Sequence, residues 1–244
     1  TEGGVSSHVA IIARNYGIPA VVGLSNISKK VRNGETVIVD GNSAEILISP
    51  DKGTLEEYKT IIRQEFIHKE ELKRFLGKKA LTKDGTEFKL YANIGTPEEA
   101  DIALAEGADG IGLFRTEFLF MSQNGVSMNA ATRSVSEETQ FNAYKHVLEV
   151  MGDKPVTIRT LDAGGDKLIN SVDIPNFEEK NPLMGLRAIR LSLVCPNVLK
   201  TQLRALYRAG LYGNLRIMLP LITCVEQIEE CLEIISEVKA ELDY

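Results

Sequence analysis

A histidine, His8, stands behind two glycines and two serines (Gly3, Gly4, Ser6 and Ser7), where an apolar helical periodicity begins. Glycines allow a backbone to approach a ligand closely, and the free N–H groups of a helix start favour an anion. An imidazole with an ordinary pKa of about 6.5 keeps a nucleophilic nitrogen near neutral pH. His8 is therefore a candidate to accept a phosphoryl group whose oxygens the neighbouring donors would steady. Taken alone, a helix-terminal histidine with no special chemistry is the plainer reading.

A second constellation is cationic. Arg115 ends the apolar run GIGLFR and is followed by Thr116 and Glu117. Arg159 lies near the end of PVTIRTLD, before Asp162 and the segment AGGDK, which carries Lys167. Arginine grips phosphate and carboxylate oxygens through paired donors. Each arginine could instead be taken up in ion pairs, Arg115 with Glu117 or Asp162, and Arg159 with Asp162. Two arginines at equivalent strand ends, beside Gly164, Gly165 and Lys167, favour an anion site. In NPLMGLRAIR, Arg187 and Arg190 are three apart, on one face if the segment is helical. Arg187 would reach the same site or pair with an acid such as Glu178, and Arg190 ranks below it.

These residues need elements to hold them. Val9, Ile12, Ala13 and Tyr16 predict a helix over 8–16, capped by Ser6 or Ser7 and stopped by Gly17 and Pro19. PAVVGL (19–24) reads as a strand. ETVIVDG (35–41) and AEILISP (44–50) read as two more, joined over Gly41, Asn42 and Ser43. Residues 54–77 form a charged helical stretch with a thin, interrupted apolar stripe, the expected connector between two domains. Its His68 reads as a surface residue.

Beyond it, strands at 87–95, 110–115, 155–162 and 215–222 alternate with helices, the last from Val225 to Leu242. Four such βα units predict a parallel sheet, which right-handed crossovers would curl towards a barrel. A closed (β/α)8 barrel needs eight units. Half of one leaves two strand edges unpaired, so the natural polypeptide is expected to continue or another segment to cover the edge. The expected class is α/β.

Composition narrows the function classes. The 244 residues are 43% hydrophobic and 25% charged, with a net charge of -6. This is a globular profile without the basic face that non-specific nucleic-acid binding needs. No apolar run is long enough for a transmembrane helix. Cys195, Cys224 and Cys231 form no CxxC pair and no metal-ligand spacing, which fits reduced, packed thiols. Cys224 and Cys231 would share one helix face if the last helix reached both.

The motifs carry a family resemblance. GGVSSHVAIIAR is similar to the phosphohistidine signature of the phosphoenolpyruvate-utilising enzymes, shared with pyruvate phosphate dikinase and phosphoenolpyruvate synthase. DGIGLFRTEFLFM, TIRTLDAGGDK, NPLMGLRAIRL and IMLPLI resemble the enzyme I family of the bacterial sugar phosphotransferase system, in order over essentially the whole chain. The resemblance implies part of a swivelling phosphohistidine domain at 1–52, a helical linker at 53–82, and at 83–244 the first half of a phosphoenolpyruvate-binding barrel. It further implies that His8 is phosphorylated on Nε2 and that Arg115 and Arg159 bind phosphoenolpyruvate, with Lys167, Asp162 and Arg187 lining the pocket. Transfer would pass from phosphoenolpyruvate to His8 and on to the phosphocarrier protein HPr, assisted by Mg2+, in a cytoplasmic enzyme that is homodimeric at full length. His8 would have to travel between two partners.

The chain departs from the family pattern at Ser6, where threonine is usual, and at Ala44, near a usual glycine. The family's metal-binding acids, a further substrate arginine and the catalytic cysteine have no counterpart here. The metal ligands are therefore expected beyond residue 244, and the HPr-binding helices before Thr1. A dikinase-type enzyme and a non-catalytic phosphoenolpyruvate-sensing module are the competing readings.

Overall fold

The computed structural model describes residues 13, 17–121, 128, 129, 134–163 and 185–243. The expected helix at 8–16, with His8, lies outside the described residues but for Ala13, which is helical. The segment carrying Gly164, Gly165, Lys167 and Glu178 lies outside them as well. The chain divides into two compact units, Thr1–Phe75 and Leu76–Tyr244.

In the first unit the expected strand at 19–24 does not form; Pro19–Leu24 joins no ladder, and a single-turn helix, α1 (Ile27–Lys30), follows. The six residues from Pro19 to Leu24 are apolar, but among the described residues they find no partner strand with which to share a backbone ladder. The predicted hairpin does form. β1 (Val37–Asp40) and β2 (Glu45–Ile48) are antiparallel, with Asp40 opposite Glu45 and Val37 opposite Ile48. Asp40 shapes the turn: its Oδ1 accepts the Asn42 N–H at 2.8 Å and the Ser43 N–H at 3.2 Å. Ala44 sits at φ 59°, in the left-handed region. That conformation costs a non-glycine residue roughly 1–2 kcal/mol, so a glycine is the easier residue there.

The charged helix, α2 (Lys52–Leu72), starts two residues earlier than its apolar pattern suggests. Asp51 caps it, accepting the Thr54 N–H at 2.8 Å. No residue of α2 is buried, and Ile62 and Phe66 are 65% and 63% exposed, as a thin stripe predicts. His68 is a surface residue. A 3-10 turn, Lys73–Phe75, ends the helix.

The second unit holds every buried apolar side chain among the described residues. The expected strand at 87–95 is two strands. β3 (Ala80–Leu81) pairs antiparallel with β4 (Glu87–Phe88), and after a break at Lys89 and Leu90 the chain enters the main sheet as β5 (Tyr91–Ile94). Then come α3 (Glu99–Ala105), β6 (Gly110–Arg115), α4 (Glu117–Met121), the two-residue strands β7 (Met128–Asn129) and β8 (Ser134–Val135), and α5 (Glu137–Met151). The remainder is β9 (Val156–Arg159), α6 (Ile189–Val194), α7 (Pro196–Ala209), β10 (Leu215–Met218) and α8 (Val225–Glu241).

Strands β5, β6, β9 and β10 make one parallel sheet in that spatial order. Each successive βα unit therefore lies beside the last, and among the described residues no strand pairs with the outer edges of β5 and β10. Alternation along the strands sorts the two faces. Ile94, Ile111, Phe114, Val156 and Ile158 meet Ala100 and Ala103 of α3, Tyr144, Val147, Leu148 and Met151 of α5, and Leu206 of α7. Each large side chain so buried stabilises the fold by roughly 1.5–3 kcal/mol. Ile111 and Phe114 are three apart, an odd spacing for one face; a register shift between them against β9 lets both turn to the helices. Gly110 permits the close approach there, since a Cβ would stand 2.5 Å from the Pro155 carbonyl oxygen. The other face carries Tyr91, Arg159, Arg216 and Met218, none of them buried. A second cluster, of Ile189, Leu199, Leu203, Cys231 and Val238, joins α6, α7 and α8.

Candidate functional site

Arg115 and Arg159 end neighbouring parallel strands and are register partners. Paired residues of adjacent strands project to the same face with backbones about 4.8 Å apart. The two guanidinium groups thus start side by side at the carboxyl ends of the strands, where a parallel sheet leaves room for ligands.

Their surroundings differ. Arg159 is 19% exposed and doubly paired: Nη2 donates to Glu117 Oε1 at 2.7 Å, and Nη1 lies 3.2 Å from Asp162 Oδ2. Arg187 approaches the same carboxylate, with Nη2 at 2.9 Å and Nε at 3.2 Å from Asp162 Oδ1. The Asp162 N–H also donates to Glu117 Oε1, at 3.2 Å. Glu117 and Asp162 are each 14% exposed and hold this cluster together from the first turn of α4 and the loop after β9. Arg115 makes no ion pair among the described residues. Its guanidinium lies 5.7 Å from the centre of the Phe118 ring. Gly95 leaves that ring its place, since a Cβ there would come within 2.9 Å of it.

One feature singles out the pair. The Nε atoms of both Arg115 and Arg159 are buried, with no hydrogen-bond partner among the described residues. A buried donor left unmatched costs about 1–3 kcal/mol. The described cluster also holds three guanidinium groups against two carboxylates, an excess of one positive charge. It is suited to an anion with several oxygens.

The expected pairings are corrected in part. Glu117, expected as a partner for Arg115, pairs with Arg159, because the acid two residues past one strand end lies beside the next strand. The pairing of Arg159 with Asp162 does occur. Arg187 is not on a helix face with Arg190; α6 begins at Ile189, after Ala188 at φ 52°, and Arg187 precedes it facing Asp162. Arg190 donates to the Gly185 carbonyl at 3.4 Å. His8 and Lys167 lie outside the described residues. Cys224 precedes α8 and is exposed, whereas Cys231 is buried within it, so they share no face. Burial pushes the Cys195 and Cys231 thiols up, away from the thiolate form.

Behind the arginines lies a layer that sequence reasoning missed. Thr116, Gln140, Tyr144, Thr160 and Gln202 are fully or almost fully buried. Gln202 interrupts the apolar face of α7 between Leu199 and Leu206, and a polar residue on such a face was the available signal. Burial pushes the Tyr144 hydroxyl up, so it stays protonated, and its O–H donates to Gln140 Oε1 at 3.1 Å. Among the described residues no three metal-ligating side chains converge, and the Glu117 and Asp162 carboxylates are already engaged by arginines. This cluster does not fit a divalent cation.

Known proteins give the geometry a context. The chain is 44% identical to the phosphoenolpyruvate-protein phosphotransferases of Bacillus sp. (strain S) and of Geobacillus stearothermophilus, and 42% identical to that of Staphylococcus carnosus (strain TM300). Each match covers 98% of this chain, which spans 40% of the relative's length. Residues 1–44 match the model of the PEP-utilising enzyme, mobile domain, and residues 69–244 that of the PEP-utilising enzyme, PEP-binding domain. With its anion-suited strand ends inside the second of these matches, the chain belongs to the PEP-utilising enzymes.

Proposed function

We propose that this chain is part of a phosphoenolpyruvate–protein phosphotransferase, in which Arg115 and Arg159 hold phosphoenolpyruvate and His8 takes its phosphoryl group. The observation that carries the reading is the register-paired arginines, with two buried donors that no described residue satisfies. The relatives' names and the PEP-binding match over residues 69–244 support it.

Phosphoryl transfer asks a protein mainly for positioning and charge neutralisation. The arginines supply both for an anion bearing a phosphate and a carboxylate. Asp162 and Glu117 fix the Arg159 fork, and Arg187 keeps Asp162 from swinging away. Lys167 is assigned to the same pocket. In the step proposed, the neutral His8 Nε2 attacks phosphorus, the bond between phosphorus and the enol oxygen breaks, and the enolate leaves, to become pyruvate on protonation. The phosphoryl group then passes to the carrier protein HPr. Mg2+, where bound, would offset phosphate charge, and its ligands are assigned to segments other than this cluster. The wider assignment is a swivelling phosphohistidine domain (1–52), a helical linker (53–82) and the first half of a (β/α)8 barrel (83–244), in a homodimeric cytoplasmic enzyme. The four parallel strands in chain order support the barrel. No described helix is long and apolar enough to cross a membrane.

The test is labelling of the full-length protein with phosphoenolpyruvate carrying a radioactive phosphoryl group, with Mg2+ and without ATP. Acid-labile, base-stable label on His8 is expected, and His8→Ala should abolish it. Label that persists in His8→Ala, or that requires ATP, overturns the assignment.

A further inference from the structure

The proposed pocket rests on two chain segments: Arg115-Thr116-Glu117 after β6, and Arg159 to Asp162 after β9. Both arginines are still in the sheet ladder, but Glu117 and Asp162 lie beyond its end. One buried side chain from a third element touches both segments. Gln202 of α7, 1% exposed, accepts the Leu161 N–H on Oε1 at 2.9 Å. Its Nε2 donates to Thr116 Oγ1 at 3.3 Å and to the Tyr144 hydroxyl at 3.0 Å.

The direction of every bond in this layer is fixed by its chemistry. A backbone N–H can only donate, so the oxygen of the Gln202 amide must face Leu161 and its nitrogen must face Thr116 and Tyr144. Thr116 Oγ1 spends its one proton on the Arg159 carbonyl, at 3.0 Å, and so accepts from Gln202. Tyr144 donates to Gln140 Oε1, and the Gln140 amide nitrogen donates to the Val135 carbonyl at 3.0 Å. Both protons of the Gln202 amide nitrogen and its oxygen are thus used, with no alternative arrangement of equal satisfaction. Closed networks of this kind are rigid, and a defect in one leaves several buried groups unmatched.

Thr116 lies between Arg115 and Glu117, and Leu161 lies between Thr160 and Asp162. The Gln202 carboxamide therefore clamps the two segments at the residues adjoining Arg115, Glu117 and Asp162, and through the Thr116 hydroxyl it is linked to the Arg159 carbonyl. We propose that Gln202 is a positioning residue for the anion site: it sets the spacing of the strand ends that aim Arg115 and Arg159 at one ligand. This rests on the phosphoenolpyruvate reading above and adds a residue that acts through its bonds to Leu161, Thr116 and Tyr144.

The experiment compares phosphoenolpyruvate binding and thermal stability in full-length wild type, Gln202→Met, Thr116→Val and Val147→Ala. Gln202→Met keeps volume and removes all three bonds. Thr116→Val keeps shape and removes the Thr116 links alone, and serves if Gln202→Met does not fold. Val147→Ala weakens the helix–sheet core without touching the network. Working well below every melting temperature, Kd for phosphoenolpyruvate should rise about tenfold in Gln202→Met and by a lesser factor in Thr116→Val, since misplacement by an ångström costs that much or more. Val147→Ala should lose stability and keep wild-type Kd. Amide exchange at Leu161 should quicken in Gln202→Met against that at Ile158. Unchanged affinity in Gln202→Met, or in Thr116→Val where the former does not fold, overturns the positioning role alone. An equal loss of affinity in Val147→Ala does the same, because general loosening then explains the effect. A wild type that binds no phosphoenolpyruvate overturns the functional reading first.

Discussion

Two arginine–carboxylate networks in the second unit use the same chemistry to different ends. At the strand ends Arg159 and Arg187 share Asp162, Glu117 holds Arg159, and Arg115 stands beside them unpaired among the described residues. On the helical exterior Arg204 bridges Glu137 and Glu241, and Arg208 bridges Glu137 and Glu138. The exterior network has three carboxylates for two arginines, the strand-end network two for three. The first is closed upon itself and lies partly in solvent. The second keeps, among the described residues, a surplus cation and two buried, unmatched Nε donors. A merely structural network has no reason to retain donors it cannot satisfy, and that difference among the described residues, more than the presence of arginine, is what supports the proposal of a ligand site.

The largest effect should come from splitting the networks by substitution. Arg115→Ala is expected to weaken phosphoenolpyruvate binding on the order of 10–100-fold, from about 1.5–3 kcal/mol for hydrogen bonds to charged groups. It should change stability little, because among the described residues Arg115 makes no ion pair and lies only near the Phe118 ring. Arg159→Ala should weaken binding at least as much and also lower the melting temperature, since Glu117 loses its only ion-pair partner among the described residues. Arg204→Ala should do the reverse: lose on the order of 1 kcal/mol of stability with unchanged affinity. Titration calorimetry and thermal melts on the same samples decide it. An Arg204→Ala protein with weakened binding would break the distinction between the networks.

Part of this contrast was legible in the sequence. GIGLFR and VTIR announced two strands ending in arginine, and their equivalent positions in successive βα units implied a shared face. The hairpin was readable because Gly41, Asn42 and Ser43 are turn formers between apolar runs. What local pattern could not give was partnership at long range. Glu117 is two residues from Arg115 in sequence but bonds Arg159, 42 residues away. Gln202 reaches Thr116 across 86. PAVVGL failed as a strand for the related reason that apolar, β-prone character becomes a strand only where another edge is available.

An acid titration sharpens the comparison further. Burial pushes the Glu137 carboxyl up, but hydrogen bonds and charge from Arg204 and Arg208 outweigh it and hold the group below its ordinary 4.5. A carboxyl whose folded pKa is depressed contributes stability that is present above the unfolded pKa and lost as pH falls through the folded one. Wild type should therefore lose stability as pH drops from 4.5 downward. Glu137→Gln should be less stable at neutral pH and show a shallower acid limb. Denaturant midpoints between neutrality and pH ~3 report both. Parallel acid limbs would mean that Glu137 draws nothing from its arginines and that the exterior network is ornamental.

The smallest effect tests whether guanidinium geometry matters outside the site. Arg208 sends Nη1 to Glu137 and Nη2 to Glu138, each at 2.7 Å, with its Cζ 4.2 Å from the centre of the Phe141 ring. Lysine cannot hold two carboxylates with a planar fork while lying flat on a ring. Yet the neighbouring Lys145 already lies 4.3 Å from the Tyr212 ring centre, so a lysine cation is tolerated in this setting. Arg208→Lys should cost only about 0.5–1 kcal/mol and leave binding unchanged. At Arg159 the same exchange removes the fork that Glu117 and Asp162 orient, and should weaken binding clearly. Equal, negligible effects at both positions would show that the strand-end cluster needs charge but not shape, and the anion would then be held by field alone rather than by directed donors.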